Sequence, residues 1–198
     1  TDQTVELLDL GDECPTTAGI VSFESRPGVT FLVVGTCRGM KTRPRTWQEC
    51  RICLYEIRDK RLVFHHATVV DRPVRAVAEF NGKLIVGIGT TLRMYEIGKK
   101  AVLRKAELKG FASDIVQLNV IDGRIIATGV SDGFNFVRYN RFSNLFDVYA
   151  DSLPRWPVAV APLEAHVILA SDKFGNVFIY ELPPSVASAA LSPFSTVL

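Results

Sequence analysis

Four short segments, CLYEI, RMYEI, FVRYN and FIYEL, carry Tyr55, Tyr95, Tyr139 and Tyr180, which stand 40, 44 and 41 residues apart. Each follows an apolar run, TFLVVGTC, KLIVGIG, RIIATGV or HVILASD, across a glycine-containing link. A repeat of roughly 40–45 residues made of several short strands marks a β-propeller blade. The remaining strands fall into the gaps. AGIVSFE, VRAVAEF, DIVQLNVI and WPVAVAPL open four units, and RLVFHHATVV, AVLRKAEL and LFDVYADS close the first three. Turn residues separate them, and no long helical periodicity competes.

The expected fold is therefore all-β: a β-propeller of about four blades, each a four-stranded antiparallel sheet, forming part of a larger seven-bladed ring. Residues 1–184 are expected to form this partial propeller, and 185–198 an irregular tail or linker. VELLDL at the start reads as the outer strand of a preceding unit.

Composition narrows the function classes. Hydrophobic residues make up 47% of the chain and charged residues 22%, enough for a real core and too few charges for a disordered chain. The net charge of +2 gives no general pull toward nucleic acid or an anionic membrane. No apolar run reaches the roughly 18–20 residues of a membrane helix. Four cysteines in a chain this long do not make a disulfide framework, so an intracellular, reducing compartment is the expectation.

Three patterns suggest chemistry and fall short of it. Gly87-Ile88-Gly89 lacks the third glycine and the helix that a dinucleotide loop requires, and reads as a strand end with its turn. Cys50-x-x-Cys53 has no second ligand pair for a structural zinc site and no helix for a redox motif; Cys53 is expected to face the core. His65 and His66 are neighbours in a strand and so are expected on opposite faces. The carboxylate pair Asp12-Glu13 reads as surface. No constellation for catalysis, metal binding or a cofactor is visible.

Binding is better represented. The 38–49 link, RGMKTRPRTWQE, sets Lys41, Arg43 and Arg45 beside Trp47, and Arg38 and Arg51 flank them. Cations next to an aromatic suit an acidic protein or a single strand of nucleic acid, and a link this long is where a binding role is expected. Pro154-Arg155-Trp156 is a second candidate, with Trp156 expected to pack between blades and Arg155 at the rim. The candidate partner-binding residues are thus Lys41, Arg43, Arg45, Trp47 and Arg155.

GKLIVGIGTTLRMYEIGKKAVLRKAE, VRYNRFSN, YADSLPRW and ASDKFGNVFIYELPP, in this order, resemble consecutive blades of one propeller family. It is the family of the splicing factor 3b propeller subunit, the damaged-DNA-binding protein one and the large subunit of the cleavage and polyadenylation specificity factor. The resemblance spans roughly residues 20 to 184 and is best to the splicing branch. It implies part of the third of three seven-bladed propellers and a nuclear, non-enzymatic scaffold in the spliceosomal particle that recognises the intron branch site. The implied partners are a HEAT-repeat splicing subunit and a small helical subunit, with spliceosomal RNA met only indirectly. No membrane, small-molecule substrate or cofactor is implied. The alternative is an adaptor of a cullin ubiquitin ligase or of the mRNA 3′-end cleavage and polyadenylation machinery.

Overall fold

The computed structural model describes residues 8–164 and 166–182, and among these every regular element is a strand. The expected units appear as four successive antiparallel sheets. The first contains β1 (Glu13–Ser22), β2 (Thr30–Arg38), β5 (Glu49–Arg58) and β6 (Arg61–Val70). A small hairpin, β3 (Lys41–Thr42) and β4 (Arg45–Thr46), is inserted between β2 and β5. The second contains β7 (Val74–Phe80), β8 (Lys83–Ile88), β9 (Thr91–Ile97) and β10 (Val102–Lys109). The third contains β11 (Ile115–Ile121), β12 (Arg124–Gly129), β13 (Phe134–Asn140) and β14 (Leu145–Asp151). The fourth has three strands among the described residues: β15 (Pro157–Glu164), β16 (Val167–Asp172) and β17 (Val177–Glu181).

Strands follow one another in space as in sequence, so each sheet is a meander. The first strands are the inner ones: β1 packs beside β7, β7 beside β11, and β11 beside β15. Among the described residues the four sheets do not close into a ring. Asn81-Gly82 and Asp122-Gly123 make the tight turns after β7 and β11, with all four residues at left-handed φ between 49° and 70°. That is the turn whose twist matches paired antiparallel strands.

The cores lie between sheets. Leu84, Val86 and Ile88 of β8 join Phe31, Val33 and Leu54 in a cluster between the first and second sheets. Ile85, on the other face of the same strand, joins Ile125 and Val137 between the second and third. Ile126 of β12 likewise turns to Phe134, Phe136 and Ile168 between the third and fourth. A strand buried on both faces reads as a continuous apolar run, which is why these segments stand out in the sequence.

The recurring tyrosines face backward along the chain. Tyr95 lies in the cluster shared with the first sheet. Tyr139 meets Phe80 of the second sheet with ring centroids 6.1 Å apart. Tyr180 stacks on Phe136 of the third at 5.6 Å and 19°. Tyr55 packs with Leu8 and Leu10, which precede the first sheet. These two leucines are the described end of the expected VELLDL strand; Leu8 to Leu10 form no strand, and the rest of that segment lies outside the described residues, as does the expected 185–198 tail.

Two local expectations are corrected. The opening strand of the first unit begins at Glu13 rather than at Ala18. His65 and His66 do not face opposite sides: a β-bulge opposite Leu54 and Tyr55 breaks the alternation at His65. The two Nδ1 atoms lie 2.6 Å apart and the rings 4.7 Å. Burial, and then His65, pull the His66 imidazole below its ordinary pKa.

Gly87 lies inside β8, and Gly89, with φ 55°, forms the turn that follows. A Cβ on Gly87 would stand 2.8 Å from Ile115 Cγ2 and 2.9 Å from Ile115 Cβ, at the first residue of the next inner strand. Gly35 is built alike, with Val74 Cβ at 2.8 Å. Gly87→Val should therefore lower the midpoint of urea unfolding. Overpacking costs about 1–3 kcal/mol, more than the gain of up to about 1 kcal/mol that valine brings to a strand. An unchanged or raised midpoint would show that the next blade yields.

Candidate partner-binding surface

Every inner strand begins, and every second strand ends, at the same end of the sheets, because the inner strands run side by side in one direction. A β-bulge recurs there in each sheet, between Pro15 and Thr17, Val74 and Ala76, Ile115 and Gln117, and Pro157 and Ala159. Hydrogen bonds tie the neighbours: Thr16 Oγ1 donates to the Val74 carbonyl at 2.5 Å, and Gln117 Nε2 to the Val160 carbonyl at 2.6 Å. Links that leave this end start from a stiff base, which is where binding residues can be held in place.

The 38–49 link is one of them. Instead of a plain solvated loop it folds back as the β3–β4 hairpin, with Lys41 opposite Thr46 and Thr42 opposite Arg45. Its base is held by Gln48 N donating to the Arg38 carbonyl at 3.0 Å. Arg45 reaches across to Asp114, at 3.5 Å, just before the inner strand of the third sheet. Asp114 also faces Arg75 of the second sheet at 3.7 Å. The hairpin of the first blade thus touches the third.

Ion pairs sort the cations of this link. Arg38 pairs with Asp12 at 3.1 Å. Arg51 pairs with Glu49 and, at 2.8 Å, with Glu13, which also accepts from Thr36 Oγ1 at 2.5 Å. Glu13 is therefore a half-buried anchor of the sheet, and only Asp12 of that pair is truly at the surface. Lys41 and Arg43 are exposed and have no carboxylate partner among the described residues. Trp47 is half-buried at the hairpin base.

The second candidate sits at the same end of the fourth sheet. Trp156 is 37% exposed, against the expectation that it packs between blades. The chain reaches β15 through an irregular approach, so the indole stands before the sheet begins and covers the turn after β16 instead. Its ring meets Phe174 edge-on at 5.6 Å, and Lys173 Nζ stands 4.3 Å over it. Arg155 lies 4.4 Å over the Phe178 ring and 3.9 Å from Asp172. Asp172 caps the turn: Asn176 Nδ2 donates to it at 2.9 Å, and the amides of Phe174 and Asn176 at 2.9 and 3.1 Å. These bonds, led by the Asn176 side chain, hold its carboxyl below the usual range.

Sequence reasoning missed Lys173 and Phe174, whose signal was the turn motif Asp-Lys-Phe-Gly-Asn. Phe174 is 65% exposed. The structure therefore provides two patches at one end of the sheets, a cationic hairpin on the first and an aromatic–cation cluster on the fourth. The Cys50-x-x-Cys53 thiols are buried on opposite faces of β5, and among the described residues no group of three His, Cys, Asp or Glu is placed to hold a metal ion.

The sequence profile of the CPSF A subunit region matches residues 1–190. The "Probable splicing factor 3B subunit 3" of Dictyostelium discoideum is 36% identical over 79% of this chain and 13% of its own length. The "Pre-mRNA-splicing factor rse1" of Neurospora crassa is 34% identical over 98% of this chain and 16% of its own length. The "Splicing factor 3B subunit 3" of Danio rerio is 32% identical over 93% and 15%. The chain spans about one-sixth or less of the length of these curated relatives.

Exposure of Trp156 sets the expected cost of its removal. Truncating a buried tryptophan costs about 3–5 kcal/mol, whereas an edge-on ring contact and one exposed cation–π contact are each worth about 1 kcal/mol. Trp156→Ala should lower the melting temperature by only a few degrees, and a loss on the buried scale would return the indole to the core.

Proposed function

Because this chain belongs to the CPSF A subunit region family, we propose that it serves in pre-mRNA splicing as part of the non-enzymatic propeller scaffold of the splicing factor 3B complex. The observation that carries this is the identity of 32–36% over most of the chain to proteins named as splicing factors. In this reading residues 1–184 supply four blades of a seven-bladed propeller, and 185–198 are an irregular tail or linker. The work is done in the nucleus, within the particle that recognises the intron branch site.

The partners in this reading are the HEAT-repeat subunit and the small helical subunit, with RNA met only through them. A net charge of +2 supports protein rather than bare nucleic acid as the main partner. Lys41, Arg43, Arg45, Trp47 and Arg155 are the proposed contacts. Lys41 and Arg43 are the readiest for an acidic partner, since neither has a carboxylate of its own among the described residues. Arg45 and Arg155 would have to exchange Asp114 and Asp172 for the partner.

Affinity purification of the protein from nuclear extract tests this reading. Recovery of a HEAT-repeat splicing subunit with spliceosomal RNA supports it; recovery of a cullin ligase or of polyadenylation subunits in their place overturns it. Arg43→Glu with Arg45→Glu should reduce recovery of the helical partners about fivefold, equivalent to about 1 kcal/mol of lost rim electrostatics. The far-ultraviolet circular dichroism should not change. Unaltered recovery would remove the hairpin from the interface.

A further inference from the structure

Three cysteines form a row across the first sheet. Cys14 of β1 is in register with Cys37 of β2, and Cys37 with Cys50 of β5. Cys14 is exposed, while Cys37 and Cys50 are each 1% exposed, and all are free thiols. The Sγ atoms of Cys37 and Cys50 lie 2.7 Å apart, closer than unbonded thiols ordinarily approach. Directly opposed residues in an antiparallel pair have Cα atoms about 4.5 or 5.5 Å apart, and both values fall within the roughly 4.4–6.8 Å that a disulfide spans. Cys53 takes no part. It faces the other side of the sheet beside Val34 and Tyr55, 3.7 Å from Thr36 Oγ1.

We propose that Cys37 and Cys50 are a dithiol–disulfide pair, oxidised through Cys14. The inference stands independently of the role in splicing. Both inner thiols are shut off from solvent, and burial pushes their pKa values up, so direct attack on an oxidant is slow. Cys14 is reachable. With oxidised glutathione as oxidant, the Cys14 thiolate attacks its disulfide and releases one glutathione thiol. Cys37 loses its proton, attacks the Cys14 sulfur and releases the second. Cys50 loses its proton, attacks the Cys37 sulfur and returns Cys14 to the thiol. In sum, two thiols give up two protons and two electrons, and one oxidised glutathione becomes two reduced molecules. The register suits this exchange, because Cys37 stands between the strand that carries the leaving sulfur and the strand that carries the attacking one.

The bond would close the base of the β3–β4 hairpin, since the link that carries Lys41, Arg43 and Trp47 runs between the two cysteines. The surface reserved above for a partner would then be locked or released by the redox state of its base.

The test treats the reduced protein with oxidised glutathione, quenches in acid, alkylates the remaining thiols and maps the linked peptides by mass spectrometry. The expected product joins Cys37 to Cys50 with Cys14 alkylated. In Cys14→Ser, an exposed and fold-neutral change, the same link should form roughly tenfold more slowly. Glutathione on Cys14 alone in the wild-type protein, with Cys37 and Cys50 both alkylated, overturns the pair. Equal rates in the wild type and Cys14→Ser overturn the route.

Discussion

The closeness of one blade to the next is the constraint on which the rest of the structure depends. Val74 and Ile115, the first residues of the second and third inner strands, press on Gly35 and Gly87 of the preceding blade, where a side chain would stand 2.8 Å from its neighbour. Thr128 and Ser171, small residues as well, occupy the matching register positions in the third and fourth sheets. Only with small residues there can the sheets approach until Phe31, Leu84, Ile125 and Phe136 fill the space between them. The glycine pair that looks like a phosphate loop is better understood as one packing glycine followed by one turn glycine.

Contacts of this kind couple each sheet only to its neighbours, so stability is built step by step along the chain. The three cores share strands but few side chains: β8 gives Leu84 to one and Ile85 to the next. The Arg45–Asp114 pair is an exception in reach, since it joins the first blade to the third across the second. Arg45 is largely exposed, so such a pair contributes little to stability, of the order of 0–1 kcal/mol. Its use lies in orientation: it holds the hairpin over the bulged ends of the inner strands and leaves Lys41 and Arg43 facing solvent.

Much of this was legible because burial on both faces writes unbroken apolar runs, and because the tyrosines of successive blades all turn toward the preceding unit. Strand count, order and the gaps between them follow from those two signals. What escaped were features set by register. The bulge at His65 puts two adjacent rings on one side, though alternation places them apart. Glu13 looks like a surface acid beside Asp12, yet pairing with Arg38 places it under Arg51 and Thr36. Trp156 has the size of a core residue, but it precedes β15 and so stands outside the sheet. The cysteine row is invisible in sequence for the same reason: positions 14, 37 and 50 become neighbours only when three strands are laid side by side.

A scaffold of this type separates stiffness from recognition. The sheets tolerate little change, as the glycine contacts demand, whereas the links at one end accept insertions as large as the β3–β4 hairpin without disturbing the strands that flank it. Cys37 and Cys50 remain in register on either side of that insertion. The hairpin therefore rests on two fixed strands, and its exposed cations sit at a position that the core determines but does not occupy. Likewise Phe174 owes its exposure to Asp172, whose carboxylate shapes the turn from within while the ring projects from it. Residues that face a partner are thus positioned by residues that never meet it, and this is how a chain with no visible catalytic grouping in its sequence can still be specific.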